Sequence, residues 1–416
     1  MPTLHGPFAQ LLPMTGLPSA GPLADEQLAV VPEAGLLVEG PLDRGGVVVA
    51  VGGFADLRRA YPGAQTREAP PGTTCLPGII DAHTHLCWAG SRAADFALRN
   101  AGMSYLAVAA AGGGIRSTVA ATRAADDDEL RGLIAGRLRE LRRRGITTVE
   151  CKSGYGLTVA EELRHLRLIS ETAAEVPGVE VVPTCLAAHV CPPEFDGDAA
   201  GYLLHLEREL LPRLAELPRR PRVDAFAEPS AFWGAPLERY LRAARAMGFD
   251  VTLHGDQFTP GGAALGCRTG AVSVDHLEHC DGSGIAALAA SAKTDAPTVA
   301  VALPGASLGL GEPQAPARRL LDAGACLAIA SDWNPGSAPQ GRVLAQACTL
   351  AAAEKLSNAE LLAGLTVRAA RALRLPDRGA LAPGMRADVS WWPTRDYREV
   401  TWRMGALEAF EVAGAY

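Results

Sequence analysis

At 416 residues the chain is too long for one small domain and suits a large catalytic domain with an accessory. Hydrophobic residues make up 48% and charged residues 20%, with mean hydropathy +0.09, so a globular protein with a sizeable core is expected. A net charge of -7 and a pI near 5.8 argue against a nucleic-acid-binding or acidic-membrane surface.

Residues 1–73 carry glycine- and proline-rich turns with short β-like runs at 35–38 and 46–51. No basic segment precedes an apolar core there (the first arginine is Arg44), so no secretory signal is expected. Eight short apolar runs follow, at 76–82, 147–151, 181–188, 223–227, 251–253, 273–275, 298–303 and 327–330. Between them, 161–175, 236–247 and 316–323 repeat leucine, alanine and arginine at helical spacing. Nearly all-apolar strands alternating with helices predict a parallel sheet covered on both faces. Eight of them predict a closed (β/α)₈ barrel of the TIM type over 74–377, with an open doubly wound sheet as the alternative. After about residue 378 the chain becomes β-like again, including 406–416, so 1–73 and 378–416 are expected to form one small discontinuous β-sandwich domain. Gly113–Gly114 and Gly261–Gly262 have neither a G-K-[ST] continuation nor a G-x-G-x-x-G spacing, which leaves nucleotide binding without support. No run of about 18 apolar residues occurs, so no membrane span is expected. The nine cysteines are scattered and contain no C-x-x-C pair, as in a reduced, cytoplasmic protein.

The histidines carry the chemistry. His83 and His85 follow the first strand in PGIIDAHTHL, and residues two apart on an extended chain face one side. His254 ends the fifth strand, His276 follows the sixth and Asp332 ends the eighth. In a barrel these strand ends converge on the face that holds active sites. Three imidazoles and a carboxylate suit a borderline-soft metal such as zinc, with a position left for water. His5, His165, His205 and His279 are read as ordinary residues.

The order H-x-H, His, His, Asp on strands one, five, six and eight resembles the amidohydrolase superfamily of metal-dependent hydrolases. Within it the chain looks like the imidazolonepropionase family, which opens 4-imidazolone-5-propanoate to N-formimino-L-glutamate in histidine degradation. The stretches that carry the likeness are PGIIDAHTHL, WAGSR, SYLAVAAAGGGIRST, TTVECKSGYGL, LAAHVCPPEF, AVSVDHL, APARRLLDAG and SDWNPGS, between about 77 and 340, with GMRADV in the C-terminal end. The resemblance implies His83, His85, His254 and Asp332 as ligands of one ion per chain, Zn²⁺ or Fe³⁺. It implies Asp332 and His276 as catalytic groups, Asp332 moving a proton and His276 polarising the carbonyl or assisting the water. It also implies substrate contacts at Arg92, Tyr105, Tyr155, His189, Glu228, Gln257, Asn334, Gly336 and Ser337. Arg92 is suited to the propionate carboxylate, which a guanidinium binds through two parallel hydrogen bonds. A small-molecule substrate and a homodimer follow from the same resemblance.

Two positions depart from simple carry-over. Glu228 ends the fourth strand, where some superfamily members bridge two metals, but only three lysines occur and none stands there. A hydrogen-bonding role beside a single metal is therefore expected for Glu228. Gln257 stands where deaminases and some imidazolonepropionases have Glu, and Gln cannot shuttle a proton. That moves proton transfer to Asp332 and His276. The rival readings are an aminohydrolase (deaminase) of the same superfamily and a non-catalytic barrel acting as a binding protein.

Overall fold

The computed structural model describes residues 1–42, 45–103 and 112–410. Five strands come first: β1 (Thr3–Leu11), β2 (Val31–Glu39), β3 (Val47–Gly53), β4 (Gln65–Glu68) and β5 (Thr74–Pro77). Eight more form the barrel: β6 (Ile79–Asp81), β7 (Ile146–Lys152), β8 (Glu180–Ala188), β9 (Arg222–Ala227), β10 (Thr252–Gly255), β11 (Ser273–His276), β12 (Val299–Ala302) and β13 (Leu327–Ile329). The last strand, β14, is Val389–Trp392.

Strands β6 to β13 pair in parallel in sequence order, as the eight apolar runs predict. The ring closes at its C-terminal end, where Thr84 bridges Trp333 and the Asp332 amide donates to the His83 carbonyl at 3.1 Å. The predicted helices appear as Val159–Glu175, Gly234–Ala246 and Ala317–Asp322. Thr158 caps the first, its hydroxyl accepting from the Glu161 amide, which satisfies one of the free N–H groups of the opening turn.

The run read as one strand over 76–82 is two strands on either side of Gly78. The Gly78 amide donates to the Asp388 carbonyl, while the next amide, of Ile79, donates to the carbonyl of Gly145. The chain thus passes from one sheet to the other within a single residue, a step that apolar composition cannot reveal.

Both ends of the chain build a second, mixed sheet ordered β14-β5-β1-β2-β3, with β4 pairing the first residues of β1. Phe8, Leu36, Val38, Cys75, Val389 and Trp391 form its core. The 406–410 stretch, read as strand, touches this sheet only where Phe410 bridges Trp391; residues 411–416 lie outside the described ones. The chain turns at Gly405 (φ 78°) and the Ala409 amide donates to the Arg143 carbonyl, so no continuous ladder forms. Between β1 and β2 the chain leaves the sheet to pack on the barrel, where Leu12, Met14, Leu23 and Leu28 join the main core. No helix among the described residues is long and apolar enough to cross a membrane, and all nine cysteines are free.

His165 lies on the buried face of the Val159–Glu175 helix, with Glu161 Oε2 3.6 Å from Nε2 and neither ring nitrogen hydrogen-bonded among the described residues. Burial, helped by Arg164 and Arg123, pushes its pKa down to about 4 from the ordinary 6.5. Between those values the unfolded chain binds the proton and the folded one does not, so stability falls as pH drops from 6.5 towards 4. The full effect is of order 3 kcal/mol. Replacing His165 with Leu is expected to flatten the decline in urea midpoint between pH 7 and 4.5; an unchanged slope would refute this assignment.

Candidate metal and substrate site

The predicted ligands converge. His83, His85 and His254 bring ligand atoms within 4.8 Å of one another, as do His83, His276 and Asp332. All five side chains are buried at the C-terminal mouth of the barrel. Asp332 Oδ1 lies 3.5 Å from His83 Nε2 and 3.3 Å from His85 Nε2. Two of the five occupy left-handed backbone, His276 at φ 86° and Asp332 at φ 53°. Such conformations cost about 1–3 kcal/mol for ordinary residues and persist where function fixes a side chain.

The residues present fit a metal ion. His83 Nε2 and His254 Nε2 are buried without a hydrogen-bond partner among the described residues, an arrangement expensive for polar atoms unless a ligand takes their lone pairs. The other nitrogen of each faces a carboxylate, in a hydrogen bond for His83 and at ion-pair distance without hydrogen-bond alignment for His254. His83 Nδ1 lies 2.6 Å from Asp275 Oδ2, and His254 Nδ1 lies 3.0 Å from Asp224 Oδ2. Such a pairing fixes the ring and the tautomer of a metal-ligating imidazole. The electrostatics agree. Burial and Lys152 oppose a charge on His83, yet Asp275 and Asp332 raise its pKa to about 9, so the carboxylates create a field that favours a cation. Burial keeps His85 and His254 neutral, with pKa values pushed down to about 3. Asp332, though burial works against its charge, is held well below the carboxylate range by His83 and His85.

Beneath the ligands lies a polar layer. Lys152 Nζ reaches Asp224 Oδ2 and Glu150 Oε1 at 2.8 Å each, and all three side chains are fully buried. Thr252 Oγ1 donates to Asp275 at 3.1 Å and lies 2.6 Å from Ser273 Oγ. Lys152 on β7 meets Asp224 on β9, past the intervening β8, so these side chains point into the barrel. The inner face of these strands is therefore polar. Glu150, Lys152, Asp224 and Asp275 were missed in the sequence reading; the signal was present as polar residues two apart in Thr148, Glu150 and Lys152.

Of the substrate-contact candidates, Tyr155 and His189 pack beside the ligands. Their ring centroids lie 5.6 Å from each other and 6.0 and 5.6 Å from His85. His189 Nδ1 is 2.9 Å from the Gly154 carbonyl, so it is the donor and Nε2 is left to accept. Burial lowers its pKa to about 4. Arg92 is pinned by its Nε to Asp95 and reaches Thr118 Oγ1 at 3.4 Å. A Cβ on Gly336 would stand 3.6 Å from Arg92 Nη1, so Arg92 and the 334–337 loop adjoin.

Asn334 has a bracing position. Its side chain donates to the Asp332 carbonyl at 2.7 Å and accepts from the amides of Gly336 and Ser337. Ser337 Oγ donates to Asp332 Oδ2 at 3.3 Å. Glu228 is likewise committed, accepting from the Phe258 and Thr259 amides and from Thr259 Oγ1 at 2.6 Å. It anchors the loop after His254. Gln257 lies in that loop, 8% exposed. Tyr105 lies outside the described residues. Gly261–Gly262 serves a close packing of backbones, since a Cβ on Gly262 would stand 2.7 Å from the Gly255 Cα.

An eight-stranded parallel barrel with a histidine-rich metal site at its C-terminal mouth defines the class. The amidohydrolase family model matches residues 74–412, and a bacterial imidazolonepropionase-like composite domain matches 44–64. The chain is 43% identical to the imidazolonepropionase of Deinococcus radiodurans over 419 aligned positions, covering 99% of both chains. It is also 43% identical to that of Cereibacter sphaeroides over 381 residues, covering 90% of this chain and 92% of the relative. Among solved structures, a zinc-bound mutant of atrazine chlorohydrolase from Arthrobacter aurescens superposes with TM-score 0.67 at 19% identity, covering 98% of this chain and 92% of that one. A zinc-bound adenosine deaminase from Xanthomonas campestris gives 0.65 at 19% identity, covering 98% and 89%. These structures share the fold. The chain belongs to the amidohydrolase family and, within it, to the imidazolonepropionases.

Proposed function

We propose that this protein hydrolyses the ring C–N amide bond of 4-imidazolone-5-propanoate to give N-formimino-L-glutamate. The observation that carries the reading is 43% identity to an imidazolonepropionase along 99% of both chains, with the predicted metal ligands falling in two triads that share His83. His83, His85, His254 and Asp332 would hold one ion, Zn²⁺ or Fe³⁺. When bound, it supplies Lewis-acid activation of a water and polarisation of the ring carbonyl.

The protein's own groups do the rest. Asp332 takes the proton of the attacking water and returns it to the ring nitrogen as the C–N bond breaks. That nitrogen stays tethered through the rest of the ring, so no separate fragment leaves. His276, Nδ1 held 3.3 Å from Glu278, turns its other nitrogen to the carbonyl oxygen where negative charge develops. Arg92 receives the propionate carboxylate, and Tyr155, His189 and Tyr105 line the pocket with Gln257 and the Gly336–Ser337 turn. The Glu228 and Asn334 contacts favour loop-holding roles for both. Gln257, unable to carry a proton, speaks against the deaminase reading.

The decisive experiment supplies the imidazolone to metal-replete protein and follows its absorbance against formiminoglutamate formation. No turnover, with ammonia released from a purine or pyrimidine, would sink the proposal. Arg92→Ala is expected mainly to raise KM, and His276→Ala mainly to lower kcat by about 10²-fold or more. Equal loss of bound metal in both variants would contradict the assigned roles. The resemblance further implies a cytoplasmic homodimer; a monomer by light scattering at micromolar concentration would refute the dimer.

A further inference from the structure

At the end of the barrel opposite the metal site, a cavity of about 650 Å³ opens beside the starts of β11 and β12. Its wall combines apolar groups such as Val272, Pro297 and Leu375 with four arginines: Arg368, Arg371, Arg374 and Arg378. Asp295 is the only acid in that lining among the described residues. Two of the arginines are neutralised from outside the cavity. Arg374 pairs with Asp250 at 2.7 Å, and Arg378 with Asp377 at 3.0 Å and Glu180 at 3.1 Å.

The other two form no direct ion pair among the described residues. Arg371 makes no ion pair among the described residues and stands half-buried at the wall. Arg368 is 1% exposed, and its Nη2 donates to the Gly21 and Pro18 carbonyls at 2.7 and 3.3 Å. Its Nε and Nη1 have no hydrogen-bond partner among the described residues. If Arg368 served only to hold the 18–21 loop, Nη2 alone would suffice. Two donors would then be buried and idle, which is costly, and the carbonyl dipoles and the more distant Glu360, itself paired with Arg318, leave the guanidinium without a bonded counter-ion among the described residues. An oxyanion answers both deficits, because guanidinium donors match carboxylate and phosphate oxygens.

We propose that this cavity is a second ligand site, separate from the metal centre, which takes a small organic dianion through Arg368 and Arg371. The apolar wall suits a short carbon skeleton between or beside the anionic groups, and the volume falls in the range of ordinary ligand sites. The site faces the N-terminal ends of the strands, so it does not compete with substrate. Occupying it would tie the Val367–Ala372 helix to the 18–21 loop.

Calorimetric titration of the metal-loaded protein with succinate and, separately, inorganic phosphate tests this. Saturable binding of at least one, weakened at least ~10-fold by Arg371→Glu and unaffected by Arg92→Ala, is expected. Which anion binds distinguishes a dicarboxylate from a phosphate ligand. Arg371→Met serves as the variant if the charge reversal compromises folding, judged by thermal melting. Absence of saturable binding of either anion below ~10 mM, equal binding by the Arg371 variants, or loss of binding in Arg92→Ala would each overturn the proposal.

Discussion

Asp332→Asn is expected to lower kcat by about 10³-fold or more while leaving the fold intact. Asn is nearly the same size and tolerates the left-handed backbone that residue 332 adopts at φ 53°. The amide would keep the hydrogen bond to the His83 carbonyl, and Asn334 would still brace the loop through the 332 carbonyl. What disappears is the negative charge facing His83 and His85 and, on the proposed mechanism, the acceptor for the proton of the attacking water. Losing the proton acceptor falls on the chemical step, while losing the charge also weakens the hold on the ion, so turnover is compared at matched metal content. Stopped-flow turnover, metal content and thermal melting on the same preparation check the claim. Activity within tenfold of wild type at full metal occupancy would remove Asp332 from the proton path. Ser337→Ala, which deletes only a 3.3 Å contact to Asp332 Oδ2, should cost far less.

The difference between those two variants also marks what the sequence could convey. All eight barrel strands and the convergence of His83, His85, His254, His276 and Asp332 were legible, because apolar runs set the strands and strand ends set the mouth. The carboxylates behind the ligands were not. Asp224 sits in a run of mostly apolar residues and Asp275 in SVDH, and neither spacing says that its partner lies on another strand. Closure of the ring brings Asp275 to His83 across the barrel, and the pairing of β9 with β10 sets Asp224 beside His254. Likewise Glu228 at a strand end suggested a place beside the metal, whereas its carboxylate is taken up by two backbone amides and a hydroxyl of the following loop. Loop hydrogen bonds of this kind depend on backbone direction, which composition and periodicity leave open. The passage between sheets at Gly78 was hidden for the same reason.

Lys152 is the point at which that hidden layer can be tested. Its ammonium faces Glu150 and Asp224 at 2.8 Å with no exposure, and although burial opposes its charge these carboxylates raise its pKa above the ordinary lysine value. Lys152→Met keeps the stem and leaves two carboxylates buried without their counter-ion. Removing one member of a buried pair typically costs about 3–5 kcal/mol, so the urea midpoint of the metal-free protein should fall markedly. A second effect is expected at the metal. Asp224, held well below the carboxylate range by His254 and Lys152 against the effect of burial, orients the imidazole of His254. A disturbed supporting carboxylate commonly weakens metal affinity by about 10–100-fold. The two effects separate in a triple variant, Lys152→Met with Glu150→Gln and Asp224→Asn. Neutralising both acids removes the uncompensated charge and should recover most of the stability, because it no longer buries unpaired carboxylates. It should not recover metal affinity, since the amide of residue 224 cannot polarise His254 as a carboxylate does. Full recovery of both would mean that Lys152 and its partners only fill the barrel; recovery of stability alone would make them the support that sets His254 towards the ion.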